Sequence, residues 1–325
     1  MTEKERAFVI VSSRDDLNIT QELTKLVATE EASLYARVFV ACPITFLDGT
    51  EVWVRDLKTK NNVAIDVCPF DPYGDRKACH AAAENLANAL ANYTIDLVFN
   101  WHGCSPGRYG VVLEESGMLE MAQVKVLVQM MLIEALLQKK ILSEESRVVI
   151  AGSEAARGIP EIGFSVPTFG DDSIDSFVSI LDGSALNRGN GNEIYGHIQA
   201  VLSLYIGALA RRHPKLYVCC LSPGFTQDSM NDNLSIEVVT RFFKLFMAFL
   251  FFVGVMGQDF TIAASNFLNA VTGTDWDYPS GSLVGAAKGM QGSLCDQSTL
   301  PGGAFLGDES KQDHAFEALK SFAII

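Results

Sequence analysis

Tyr195 and Gln199 stand four residues apart in a stretch with helical spacing, 195–212, and residues so spaced share one helix face. A tyrosine so placed can give or take a proton. Its unassisted pKa near 10 lies about three units above neutrality, so the phenolate costs roughly 4 kcal/mol. Gln199 is neutral and can hydrogen-bond without stabilising that charge. His102 and His197 lie nearby, but nothing around them has metal-ligand spacing, so no metal is expected. Gly103, Gly107 and Gly110 with Arg108 make a glycine-rich loop. It could hold an anion on backbone N–H groups, and a plain surface turn is the simpler reading.

These residues need a scaffold, and the pattern supplies one. Short apolar runs at 7–11, 36–41, 63–67, 95–99, 147–151 and 216–221 read as strands. Between several of them lie stretches of helical spacing at 19–29, 77–91, 118–137 and 195–212. Alternation of this kind predicts an α/β fold, a doubly wound parallel sheet with helices on both faces. A long irregular segment, 158–191, precedes the Tyr195 helix as an insertion. After residue 275 the chain turns glycine-rich and ends in a helix expected over 314–322. One continuous domain over 1–275 is preferred, with 276–325 as an extension packed on it or on a partner.

Composition limits the function. The 325 residues carry a formal net charge of −14, and such a field repels nucleic acid. The nearest basic cluster, Arg211-Arg212-His213, simply complements a helix dipole. Seven cysteines form no CxxC pair, which fits a reducing compartment, cytoplasm or organelle matrix or stroma. The charged start lacks an apolar h-region, so no secretory signal is expected. Met118–Leu137 is broken by polar residues and reads as a core helix. Phe242–Met256, with six phenylalanines, is too short to span a bilayer comfortably. It is expected to be a core helix, or an apolar surface for a hydrophobic ligand, a partner or a membrane face.

Four local matches, each after the right element, resemble the short-chain dehydrogenase/reductase superfamily over roughly residues 7–275. Asn100-Trp-His-Gly103 stands where the family has Asn-Asn-Ala-Gly. Arg147-Val-Val-Ile-Ala-Gly-Ser153 looks like the strand delivering the catalytic serine. Tyr195-Gly-His-Ile-Gln199 falls at Tyr-x-x-x-Lys, and Ser222-Pro-Gly-Phe-Thr226 at the Pro-Gly turn over the nicotinamide. The resemblance implies a Rossmann-type sheet and an NAD or NADP site. Its cofactor contacts would come from Ser13, Arg14, Asp66, Asn100, Gly103, Pro223, Gly224 and Thr226. The long separation of Ser153 from Tyr195 is closest to the protochlorophyllide reductase and retinol-dehydrogenase-like branches.

The departures carry as much weight. The family's Thr-Gly-x-x-x-Gly-x-Gly loop is here Ser12-Ser-Arg-Asp-Asp-Leu-Asn-Ile19, without a glycine. Those glycines let the backbone approach a pyrophosphate. Asp15 and Asp16 add charge of the wrong sign at a helix N-terminus. One carboxylate about 5 Å from a phosphate charge costs roughly 3 kcal/mol at an effective dielectric near 20. Arg14 offsets one such charge and not the steric problem. Gln199 replaces the lysine that lowers the tyrosine pKa and holds the nicotinamide ribose. Lys125, aligned with the family's helix asparagine, either supplies the missing charge or is the polar residue of a buried helix. Asp66 either contacts adenine or is a solvent-facing residue; Ser153 and Thr226 either act in the site or cap turns.

The expectation is a member with lost or impaired catalysis, a binding or assembly subunit, with a homo-oligomer or another protein as partner. The alternative is an active NAD(P)H-dependent oxidoreductase that reduces a carbonyl or double bond of a hydrophobic substrate.

Overall fold

An uninterrupted apolar run, Ala7–Val11, suits a strand covered on both faces, and it forms β1 (Glu5–Ser12), fully buried from Ala7 onward. The computed structural model describes residues 4–12, 18–58, 63–101, 103–104, 106–224, 259–288 and 291–323. Beside β1 lie β2 (Arg37–Cys42), β3 (Ala64–Pro69), β4 (Tyr93–Asn100), β5 (Arg147–Ala151) and β6 (Tyr217–Leu221). With β7 (Leu283–Lys288) and β8 (Gln291–Asp296) they make one eight-stranded sheet in the order β3-β2-β1-β4-β5-β6-β7-β8. Every pairing is parallel except β7 with β8.

This is the doubly wound α/β fold expected of the strand–helix alternation. The strand order reverses between β1 and β4, so the crevice beyond their carboxyl ends is where such sheets take ligands. One face is covered by α1 (Asn18–Thr29) and α8 (Phe260–Thr272), which pack on each other, with α2 (Leu47–Lys58) beside β3. The other carries α3 (Arg76–Ala89), α7 (Gly191–Arg212) and one continuous helical segment. That segment runs from α4 (Glu120–Ala122) through a π-type turn, Gln123–Leu127, into α5 (Val128–Gln138). It is buried almost throughout, as a core helix should be. No helix among the described residues is long and apolar enough to cross a membrane.

The segment after residue 275 does more than cover the sheet: it supplies β7, paired with β6, and the edge strand β8. Its final helix, α9 (Glu309–Ala323), packs on α7 and on α6 (Ile174–Leu181) of the same chain. Arg211 of α7 reaches Asp313 of α9 at 2.6 Å. The insertion before the Tyr195 helix holds α6 and a short bridged turn in which Ile159 pairs with Phe164. Helices α2, α6 and α8 and strands β7 and β8 are additions to the sequence-based outline.

Candidate functional site

Strand β5 ends at Ala151, and Ser153 follows with extended backbone, φ −155° and ψ 143°. Its Oγ accepts from Ala155 N–H at 3.2 Å and so caps the short helical turn Glu154–Arg157. Helix α7 begins under an Asn190 cap and lays its first turns against that helical turn. The approach is close: a Cβ on Gly196 would lie 3.3 Å from the Ala155 carbonyl oxygen. Tyr195 is thereby brought beside Ser153 and Gln199, both of which act on its phenol. Ser153, Tyr195 and Gln199 thus lie together.

Their electrostatics run against a base. Burial pushes the Tyr195 phenol above its ordinary pKa. Ser153 and Gln199 pull it down by less, and the Glu154 carboxylate pushes it up again. No cation among the described residues acts on that hydroxyl. Gln199 is buried, and its Oε1 has no hydrogen-bond partner among the described residues.

Lys125 does not stand in for the missing lysine. It lies in the π-type turn, fully buried, where its Nζ donates to the carbonyl of Trp101 and, at 2.7 Å, to that of Ala151. The ammonium thus joins the residue after β4 to the last residue of β5. Burial lowers its pKa to about 7.

Asn100 ends β4 and turns inward. Its Nδ2 donates to Thr20 Oγ1 at 2.8 Å, and Thr20 donates to Ser12 Oγ at 3.1 Å. This chain ties β4, α1 and β1 together at the crevice. Asn100 Oδ1 is buried without a partner among the described residues. Gly103 has φ +101°, and a Cβ there would meet Met121 Sδ at 2.7 Å. Gly224, at φ +72°, follows the buried Pro223 and donates its N–H to Ser222 Oγ at 3.1 Å.

Asp66 sits elsewhere. It is the third residue of β3, paired in register with Phe39, and it meets Arg37 at 2.5 Å. Three residues of strand, about 10 Å, separate it from the ligand edge. The ion pair is part-exposed, which is the solvent-facing alternative. Ser13, Arg14, Thr226 and Phe242–Met256 lie outside the described residues. His197 is consumed structurally: Nε2 accepts from Thr168 N–H at 3.2 Å and Nδ1 meets Glu193 O at 2.8 Å. No group of three metal-ligating side chains occurs among the described residues. Arg108 is committed to Glu120 at 2.6 Å, so it is not a waiting anion contact.

Three residues of the site were not singled out in the sequence. Glu154 is buried beside Ser153, accepting from Ser222 Oγ and from Ala286 N. Tyr109 stacks on Tyr195 at 5.8 Å between ring centroids, and Phe164 meets the same ring at 5.9 Å. Adjacency to Ser153 was the one available signal, and only for Glu154.

The Pro223-Gly224 turn and the Ser153–Tyr195 hydroxyls suit the nicotinamide end of a dinucleotide. At the pyrophosphate end the sequence Ser12–Ile19 has no glycine and two acids, and residues 13–17 lie outside the described ones.

No protein-family model matches the chain, and no curated protein does. Solved structures do. The KRED1-Pglu enzyme matches with TM-score 0.59 at 11% identity, over 86% of this chain and 100% of its own. The short-chain dehydrogenase from Shigella flexneri gives 0.55 at 16%, over 89% of this chain and 94% of that one. The short-chain dehydrogenase from Sphingobium yanoikuyae in complex with NADPH gives 0.55 at 15%, over 83% and 84%. The chain therefore has the short-chain dehydrogenase/reductase fold.

Proposed function

We propose that this chain is a short-chain dehydrogenase/reductase superfamily member with lost or impaired catalysis, serving as a binding or assembly subunit. The observation that carries it is the surroundings of Tyr195: neutral Ser153 and Gln199, an acid at Glu154, and a phenol pKa raised by burial. A general acid/base works best with a pKa near the operating pH, and here the largest influence, burial, drives it away. The glycine-free, acidic loop at 12–19 points the same way. Titration with NADH and NADPH, followed by intrinsic fluorescence, tests it. The expected result is no saturable binding up to millimolar cofactor and no cofactor oxidation with carbonyl compounds. Saturable micromolar binding with turnover overturns it.

One observation favours the second reading, an active NAD(P)H-dependent oxidoreductase. Ser153 stands close enough to Tyr195 to act on its phenol, the neighbourhood that carbonyl reduction needs. In that case Ser153 orients a carbonyl oxygen and Tyr195 gives it a proton. The same titration separates the two readings.

A further inference from the structure

A recess of about 160 Å³ opens where α7, the loop leading into β7, the end of β8 and α9 meet. Ser203, which lines it, stands eight residues beyond Tyr195, about 12 Å further along α7. The recess is therefore separate from the Ser153–Tyr195 corner. Two glycines let its walls converge. Gly281 takes φ +91°, and a Cβ on it would lie 3.3 Å from the Gly207 Cα of α7. A Cβ on Gly207 would in turn overlap the Gln312 amide of α9.

The polar groups of the wall are mostly spent as donors. Ser203 Oγ donates to Gln199 O at 2.9 Å, and Ser282 Oγ donates to Pro279 O at 2.8 Å. Both serines are buried. The buried Gln312 donates from Nε2 to Leu306 O at 2.7 Å and accepts from Arg211 on Oε1. Asp296, half-buried, accepts from Ser298 N on Oδ1 at 2.9 Å and so caps the turn Gln297–Thr299. Its other oxygen meets no donor among the described residues. What the wall offers is thus hydroxyl lone pairs and one carboxylate oxygen. Ser298 Oγ, which makes no hydrogen bond among the described residues, adds a hydroxyl free to donate.

We propose that this recess binds a small amino alcohol of the ethanolamine type, its ammonium donating to Asp296 and its hydroxyl accepting from Ser298. The inference goes beyond the reading above and does not depend on it. Acceptors without donors call for a ligand rich in N–H groups, and a charge-assisted bond to a carboxylate is the strong form. The net charge of −14 favours a cation. Arg211, bonded to Gln312, is already neutralised by Asp313 at 2.6 Å. The volume lies below the roughly 300–1,000 Å³ of a drug-sized site, so the ligand is small.

Calorimetric titration of the full chain with ethanolamine tests this, with ethylene glycol as the uncharged counterpart and potassium chloride present throughout to saturate diffuse cation binding. Saturable binding is expected, about tenfold or more tighter than that of ethylene glycol. Asp296→Asn keeps an acceptor for Ser298 N–H and loses the charge; it should weaken binding about tenfold. Gly307 also lines the recess, and a Cβ there would meet no atom within 4 Å. Gly307→Val therefore takes up space at the wall without a clash and should weaken binding to a similar degree. Thermal melts verify folding, and Gly307→Ala replaces the valine variant if that does not fold. Absent saturable binding at tens of millimolar, equal affinity for ethylene glycol, or unchanged affinity in either the Asp296 or the Gly307 variant overturns the proposal.

Discussion

The Glu154 carboxylate accepts a hydrogen bond from the Ser222 hydroxyl at 2.5 Å across 68 residues of chain. Its other oxygen accepts from Ala286 N at 2.9 Å. One buried acid therefore joins the ends of β5 and β6 to β7, directly beside Ser153. Burial raises its pKa, and the bonds from Ser222 and Ala286 only partly reverse this. A carboxyl whose folded pKa is raised favours the protonated state on folding. Its stabilising effect is complete below the ordinary glutamate pKa near 4.3 and is lost as pH rises through the raised value. Glu154→Gln removes that loss, so the gap between variant and wild-type melting temperatures moves in the variant's favour as pH rises from about 4. Glu154→Ala leaves two buried donors unpaired and costs about 2–4 kcal/mol in denaturant unfolding.

Gly285 makes room for that acid. A Cβ there would lie 2.8 Å from Glu154 Oε1. Gly285→Ala is expected to destabilise the fold by about 1–3 kcal/mol, read as a lower denaturant midpoint with unchanged slope. Combined with Glu154→Ala the penalty should be less than additive, because the clash is with the removed side chain.

Lys125 behaves in the opposite sense to an ordinary surface lysine. Its folded pKa is depressed to about 7, so the unfolded chain binds the proton more tightly. Wild-type stability therefore rises as pH climbs from about 7 towards the ordinary lysine value near 10.4. Lys125→Met abolishes that rise and leaves the Trp101 and Ala151 carbonyls without their donor. Melting temperatures of the two proteins, compared across this range, should diverge as pH increases.

Gln199→Lys puts an ammonium next to the Tyr195 hydroxyl, where the present amide acts without charge. Opposite charge favours the phenolate. Difference titration of phenolate absorbance against a Tyr195→Phe control should show Tyr195 ionising at lower pH in the lysine variant. An unmoved titration would mean that position 199 does not govern this phenol.

Restoring the loop glycines is more selective than the sequence suggests. Ile19 is fully buried in α1, and its replacement by glycine would empty a core position at about 2–5 kcal/mol. Ser13→Gly, Leu17→Gly and Gln199→Lys together avoid that cost. They are expected to raise NADPH affinity above wild type by fluorescence titration if the pocket is otherwise intact.

The sequence by itself determined strands β1 to β6 and the main helix of the site. Parallel strands covered on both faces appear as unbroken apolar runs, and β5 falls on Arg147–Ala151 as read. Residues four apart on one helix face, Tyr195 and Gln199, needed no structure to be paired. The tertiary structure decided everything that joins distant segments. Strand β7, Leu-Val-Gly-Ala-Ala-Lys, has too little β-branched character to announce itself, and pairing with β6 places it. Asp66 was open between an adenine contact and a solvent-facing residue, and the register of β3 on β2 puts it three residues short of the strand end. Lys125 was weighed as a replacement charge, and the carbonyls of Trp101 and Ala151 claim it. Glu154, Tyr109 and Phe164 join the site only because separate loops converge on one ring and one strand end. Local pattern records which face of an element is buried; it does not record which distant residue will be waiting there.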